Sequence, residues 1–166
     1  LGQPCDLDGR WAAGGQVHAG LLDTLLAEPF LRQPPPKSTG RDLFNADWLG
    51  RALQAHPDAT AQDVQATLTE YSARCAAQAL TEHGPGCREL LCCGGGALNG
   101  TLMRRLQALL PGVRVDTTAA HGLPVMQVEA AAFAWLAWAF LHRQPGNRPE
   151  VTGARGLRVL GALHPA

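Results

Sequence analysis

Apolar residues recur at helical spacing in five stretches of the chain and form shorter strand-like runs in three others. Val17, Leu21, Leu22, Leu25 and Leu26 predict a helix from about His18 to Ala27, which Glu28-Pro29 ends because a residue before proline is pushed out of helical geometry. Trp48, Leu49, Ala52 and Leu53 predict a second helix, with Asn45 as N-cap and His56-Pro57 as its stop. Val64, Leu68, Tyr71, Cys75 and Ala79 mark one face of a long helix that Thr60 caps, with Asp63 in its first turn. It runs to about Glu82, where the run His83 to Gly86 terminates it. Glu89 to Cys93 reads as a buried strand and Gly94-Gly95-Gly96 as a tight turn. A helix carrying Leu102, Met103, Leu106, Leu109 and Leu110 then starts at Asn99 or Thr101 and ends at Pro111-Gly112. Val113 to Thr118 alternates as a second strand. The Ala- and Trp-rich run Val125 to Leu141 reads as a buried helix reaching about His142, with Trp135 and Trp138 packed in the core. Arg158 to Leu163 reads as a short final strand. Helices interleaved with strands in this order predict an α/β domain. A helical and loop segment spans residues 1–60 and an α/β core spans residues 61–166.

Composition narrows the function classes. Fourteen basic and 14 acidic residues cancel, so no polyanion-binding surface is expected and nucleic acid is not a predicted partner. No apolar run reaches membrane-spanning length, and the first residues lack the basic-then-apolar order of a leader. No membrane partner is predicted. The five cysteines are odd in number and irregularly spaced, which predicts reduced thiols and a cytoplasmic location. His83, Cys87, Cys92 and Cys93 lie close together, but they contain no Cys-x-x-Cys pair, and adjacent strand residues face opposite ways; a metal site is not predicted. The remaining histidines are scattered, with no nucleophile constellation around them.

Three segments carry candidate chemistry. The first is Leu91 to Asn99, a strand running through three glycines into a helix. Glycines let backbone approach a ligand closely and adopt positive φ, and the helix start offers free N–H groups to an anion. A nucleotide lying over Gly94, Gly95 and Gly96, with Asn99 beside it, fits this arrangement; so does a purely structural turn. The pattern is neither a Rossmann fingerprint nor a phosphate-binding Walker loop. The second is Pro36 to Arg41, where Lys37, Ser38 and Arg41 present two cations and a hydroxyl on a proline-stiffened approach. With the Thr39 hydroxyl the segment holds two cations and two hydroxyls, which suits a phosphate or a sugar carboxylate, or an ordered surface loop. The third is Glu129, near the start of the apolar helix, as a site carboxylate or an ordinary first-turn acid.

Taken together, these segments resemble the anhydro-N-acetylmuramic acid kinase family. The matching stretches are PPPKSTGRDLFNADWL (34–49), DVQATLTEYSA (63–73), LLCCGGGALNGTLMRRL (90–106), VRVDTTAAHGLP (113–124), QVEAAAFAWLA (127–137) and PGNRPEVTGARGLRVLGA (145–162). They stand in the family's order and cover nearly the whole chain. The resemblance implies the C-terminal lobe of a two-domain actin/hexokinase-type kinase, with ATP and Mg²⁺ in its cleft. The implied reaction opens the 1,6-anhydro bond of a cell-wall amino sugar with water and phosphorylates it, giving N-acetylmuramic acid 6-phosphate in peptidoglycan recycling. Gly94, Gly95, Gly96 and Asn99 match the adenosine-binding turn, Glu129 matches a substrate-side glutamate, and Lys37 to Arg41 match a family motif. The family also implies a homodimer for the full-length enzyme.

Some positions depart from the family pattern. Ala119 stands where an acid often follows the Thr-Thr pair, and Val125-Met126 follow Leu123-Pro124 where Pro or a polar residue is usual. The first residues, LGQPCDLDGRWAAGG, read as the interior of a longer protein. The family's phosphate loop and catalytic aspartate are expected upstream of Leu1, with Asp6 and Asp8 in a loop beyond them. The chain alone is therefore expected to be inactive. A non-catalytic remnant or interaction module is the competing expectation.

Overall fold

A computed structural model describes residues 2–164 of the chain. The helices are α1 (Arg10–Ala13), α2 (Ala19–Leu26), α3 (Ala46–Gln54), α4 (Ala61–His83), α5 (Gly100–Leu109), α6 (Val128–Leu141) and α7 (Pro149–Thr152), with strands β1 (Glu89–Cys92) and β2 (Arg114–Thr117) flanking α5. Four helices start on a side-chain cap. His18 Nδ1 accepts the Leu21 N–H at 3.1 Å, Asn45 Oδ1 the Trp48 N–H at 2.9 Å, Thr60 Oγ1 the Asp63 N–H at 3.2 Å and Asn99 Oδ1 the Leu102 N–H at 3.0 Å. Each satisfies a main-chain donor that the first helical turn leaves free.

The helix α4 organises the molecule because it has two packing sides. One side buries Tyr71 against Leu21, Leu22 and Leu25 of α2, with Trp48, Leu49 and Leu53 of α3 and Val64, Leu68 and Cys75 of α4 packed around them. Phe44 meets Phe30, Trp48 and Tyr71 edge-on, and the Trp48 indole N–H donates to Glu28 at 3.0 Å. The other side carries the small buried residues Ala66, Ala73 and Ala77 and turns towards α1 and α5, where Ala12, Leu106 and Leu110 are buried. Ala79, assigned to the apolar face from spacing, is exposed.

The strands pair in parallel, Glu89 opposite Arg114 and Cys92 opposite Thr117, and α5 is their crossover. An α/β unit is therefore present, but β1 is not the buried strand expected: Leu91 is 37% exposed. Parallel strands are enclosed when a wide sheet carries helices on both faces, and this sheet has two strands. The expected strand Arg158 to Leu163 does not form. The Arg158 N–H instead donates to Asn147 Oδ1 and its carbonyl accepts from the Gly146 N–H at 3.0 Å, closing a loop where a strand neighbour would sit.

The largest departure from expectation is α6. It starts at Val128, and Ala139 is its one buried residue. Phe133, Trp135, Trp138 and Leu141 are 65%, 50%, 45% and 69% exposed. Trp135 and Trp138 therefore lie outside the core; Trp138 stacks on His142 with ring centroids 4.3 Å apart. The loop around Gly146 and Leu160 reaches one side of α6, at Leu136, and Gly161 lies against Phe140. No helix among the described residues is long and apolar enough to cross a membrane.

Candidate functional site at the glycine turn

Parallel strands place their carboxyl ends together, and in α/β proteins ligands bind beyond those ends. Here the ends are Cys92 and Thr117. Burial raises the Cys92 thiol pKa, which keeps it protonated. At the end of β1, Gly94 adopts φ 72°, ψ −169°, a conformation essentially reserved for glycine. A Cβ built on Gly94 or Gly95 would meet nothing within 4 Å, so the outer side of the turn is open. A short 3-10 turn, Gly95–Leu98, leads to the Asn99 cap and α5.

The chain beyond β2 returns past this turn. After a 3-10 turn at Thr118–His121 and a left-handed Gly122, the Val125 carbonyl accepts the Gly94 N–H at 2.8 Å. Glu129 follows four residues later, exposed in the first turn of α6. The glycine turn and the start of the Glu129 helix thus share one end of the sheet. Ala119 and Met126 are exposed there, and the Thr118 hydroxyl is buried without a partner. Glu89, at the amino end of β1, reaches back to the turn that follows β2. It bonds His121 at 3.1 Å and pairs with Arg114; the His121 contact first, and Arg114 after it, hold its carboxyl below the usual range.

The start of α5 differs from the sequence expectation of open N–H groups. The Gly100 N–H donates to Asp8 Oδ1 at 2.9 Å and the Leu102 N–H to Asn99. The helix end does hold an anion, and it is the chain's own carboxylate. Asp6 and Asp8 are likewise more than loop residues. Asp6 accepts the Trp11 and Ala12 N–H groups, both at 2.9 Å, and so starts α1 inside a segment read as loop. Nothing local in the sequence links Asp8 to Gly100; the one available signal was Asp-Leu-Asp-Gly, a turn and cap composition.

The Lys37 to Arg41 segment makes its own set of contacts. The Lys37 ammonium donates to the carbonyls of Phe30 and Leu31 at 3.1 and 2.8 Å and sits 5.0 Å from the Phe30 ring centre. Ser38 and Arg41 are exposed, and the Thr39 hydroxyl is buried without a partner. Pro36 meets Gly153, just past α7, where a Cβ would come within 2.9 Å. Among the described residues no hydrogen bond joins residues 37–41 to Gly94, Asn99 or Glu129. A separate cavity of about 860 Å³ near Asp6, Arg10, Trp11 and Gln65 contains none of the predicted site residues. Among the described residues, no group of three His, Cys, Asp or Glu side chains is placed to hold a metal ion.

Comparison with known proteins identifies the family. The family model described as anhydro-N-acetylmuramic acid kinase matches residues 1–166. The anhydro-N-acetylmuramic acid kinase of Chromobacterium violaceum is 59% identical over 165 residues, covering 99% of this chain and 45% of that protein. Those of Variovorax paradoxus and Pseudomonas paraeruginosa are 57% and 54% identical, again over 99% of this chain and 44% and 45% of their own lengths. The chain thus spans less than half the length of the curated relatives it matches. Over that span, this chain belongs to the anhydro-N-acetylmuramic acid kinase family.

Proposed function

We propose that the chain supplies the nucleotide side, and part of the sugar side, of an ATP-dependent kinase that opens 1,6-anhydro-N-acetylmuramic acid and phosphorylates it to N-acetylmuramic acid 6-phosphate. The observation that carries this reading is the open Gly94 to Gly96 turn at the carboxyl ends of two parallel strands, in a chain of this family. The turn has the form a flat adenine and ribose require: bare backbone, no Cβ atoms in the way, and a polar Asn99 at its edge. ATP supplies the phosphoryl group; the part of Gly94, Gly95, Gly96 and Asn99 is to seat the adenosine. Glu129, on the same end of the sheet, faces the sugar, and Lys37, Ser38 and Arg41 bind substrate from a different part of the lobe. In this reading the domain is the C-terminal lobe of an actin/hexokinase-type fold.

Hydrolytic opening and phosphoryl transfer need a general base and a phosphate clamp. We assign both to residues outside this sequence, in keeping with its coverage of less than half of each relative. The isolated chain is expected to give no ATP-dependent phosphorylation of the anhydro sugar, and turnover by it would refute that assignment. Gly95 provides the test of the nucleotide site. Its Cβ position is empty and its backbone is not left-handed, so Gly95→Val costs the fold little while filling the space assigned to adenosine. In the full-length kinase carrying this sequence, Gly95→Val should raise the ADP dissociation constant by about tenfold or more at an unchanged melting temperature, as the loss of about 1.4 kcal/mol would give. Unchanged ADP affinity would sink the reading, and a wild-type protein that binds no nucleotide would favour a non-catalytic module.

A further inference from the structure

The loop that precedes α1 is tied to the start of α5 across more than ninety residues of sequence, by contacts that converge on one point. Asp8 Oδ1 accepts the Gly100 N–H at 2.9 Å. The Thr101 hydroxyl donates to the Gly9 carbonyl at 2.9 Å, with the Asp8 carbonyl 3.4 Å away. Gly9 is buried with φ +66°, and a Cβ there would overlap Asn99 Oδ1 and lie 2.7 Å from Thr101 Cβ. The backbone of Gly9 is therefore the wall against which the Asn99 side chain rests. Asp8 itself has φ 60°, a left-handed conformation that costs a non-glycine residue stability and persists where its surroundings fix it. Two successive left-handed residues turn the Asp8 carboxylate and the Gly9 carbonyl together onto the first turn of α5.

We propose that Asp8 and Gly9 are positioning residues for Asn99 and, through it, for the glycine turn: they fix where α5 begins and hold the Asn99 amide in the orientation that both caps Leu102 and borders the Gly94 to Gly96 surface. The functional half of this inference rests on the nucleotide reading above; the structural half does not. The Asp8 carboxylate already occupies the Gly100 N–H, so this helix end acts as a fixed support for the turn, and a nucleotide's anionic part must find its donors elsewhere.

The two halves are separated by two measurements. Amide exchange on the 166-residue chain reads the positioning directly. Asp8→Ala should speed exchange at Gly100 and at Leu102, whose donor is capped by Asn99, by about tenfold or more relative to α4 amides. Asp8→Asn, which keeps an acceptor oxygen, should restore most of the protection; Thr101→Val, which removes the bond to the Gly9 carbonyl, should weaken it, and Thr101→Ser should keep it. Gly9→Ala should act like Asp8→Ala, and the Asp8 series decides the matter if that variant fails to fold. In the full-length kinase, Asp8→Ala should raise KM for ATP severalfold with kcat within about twofold, since only uniform nucleotide binding is lost. Unchanged exchange at Leu102 in Asp8→Ala overturns the proposal. So does an unchanged KM in Asp8→Ala when Asn99→Ala raises it. If Asn99→Ala leaves KM unchanged, the nucleotide reading fails, and the exchange data still decide whether the clamp exists.

Discussion

Glu70 is the one charged side chain buried among the described residues, at 3% exposure. Its carboxylate accepts from Arg105 Nε and Nη2 at 2.7 and 3.0 Å and from Arg74 Nε at 2.8 Å. It thereby joins α4 to α5, the helix that carries the candidate site. Spacing along α4 gave no hint of this, because the side facing α5 is built from alanines, threonine and a glutamate and has little apolar contrast. The Arg105 contact first, and Arg74 after it, hold the Glu70 carboxyl below its ordinary value of 4.5, against the opposing effect of burial. A carboxyl whose pKa is lower in the folded state binds fewer protons there than in the unfolded chain. Its stabilisation is therefore complete above its unfolded value and is lost as pH falls through the folded one. Removing one partner of a buried pair is costly, but Arg74 and Arg105 are nearly half exposed and can turn to solvent. Glu70→Gln should accordingly lower stability near neutral pH by about 1–3 kcal/mol, below the range for fully enclosed pairs. Urea unfolding measures it, and the gap from wild type should close at pH values well under 4.5. A gap that persists in strong acid would show that packing, not charge, sets the cost.

At the scale of elements, what could be read from the sequence was local. Asn45 and Thr60 were legible as caps because each sits directly before an apolar-periodic run, and the bonds at Trp48 and Asp63 follow from that position. The helix α6 was misplaced for a related reason. A helix apolar on all sides reads as one enclosed by protein, yet among the described residues Phe133, Trp135, Trp138 and Leu141 stay exposed, while Leu136 meets Gly146 and Phe140 meets Gly161. Periodicity says that a surface wants cover; it does not say which residues provide it. The uncovered side predicts behaviour of its own. Contiguous exposed apolar surface promotes association, so the chain should self-associate with rising concentration in sedimentation. Phe133→Ser with Trp138→Ser should reduce that association and, since neither residue is enclosed, change unfolding free energy by less than about 0.5 kcal/mol each. A large loss of stability would mean that these side chains belong to the core after all.

The whole molecule is a helical layer and a small α/β unit joined through α4. The α/β class, the glycine turn and the position of Glu129 at a helix start were legible, since each depends on residues close in sequence. The pairing of Asp8 with Gly100 and of Pro36 with Gly153 was not, since a contact across more than ninety residues leaves no local pattern. The same architecture predicts uneven stability. Amide protection follows burial and the number of neighbours that must separate before a bond opens. The middle of α4, around Thr67 to Ala77, is packed by α2 on one side and by α1 and α5 on the other. The strands form a two-stranded sheet with Leu91 exposed, and α6 buries Ala139 alone. Hydrogen exchange followed by mass spectrometry should therefore find the α4 peptides slowest, β1 and β2 intermediate and α6 fastest among the long helices, with α6 at least about tenfold faster than α4. In a full-length protein of this family carrying the chain, the α6 peptides should slow while α4 changes little, because α4 already has its neighbours. Equal protection of α4 and α6 in the isolated chain would contradict the exposed placement of α6.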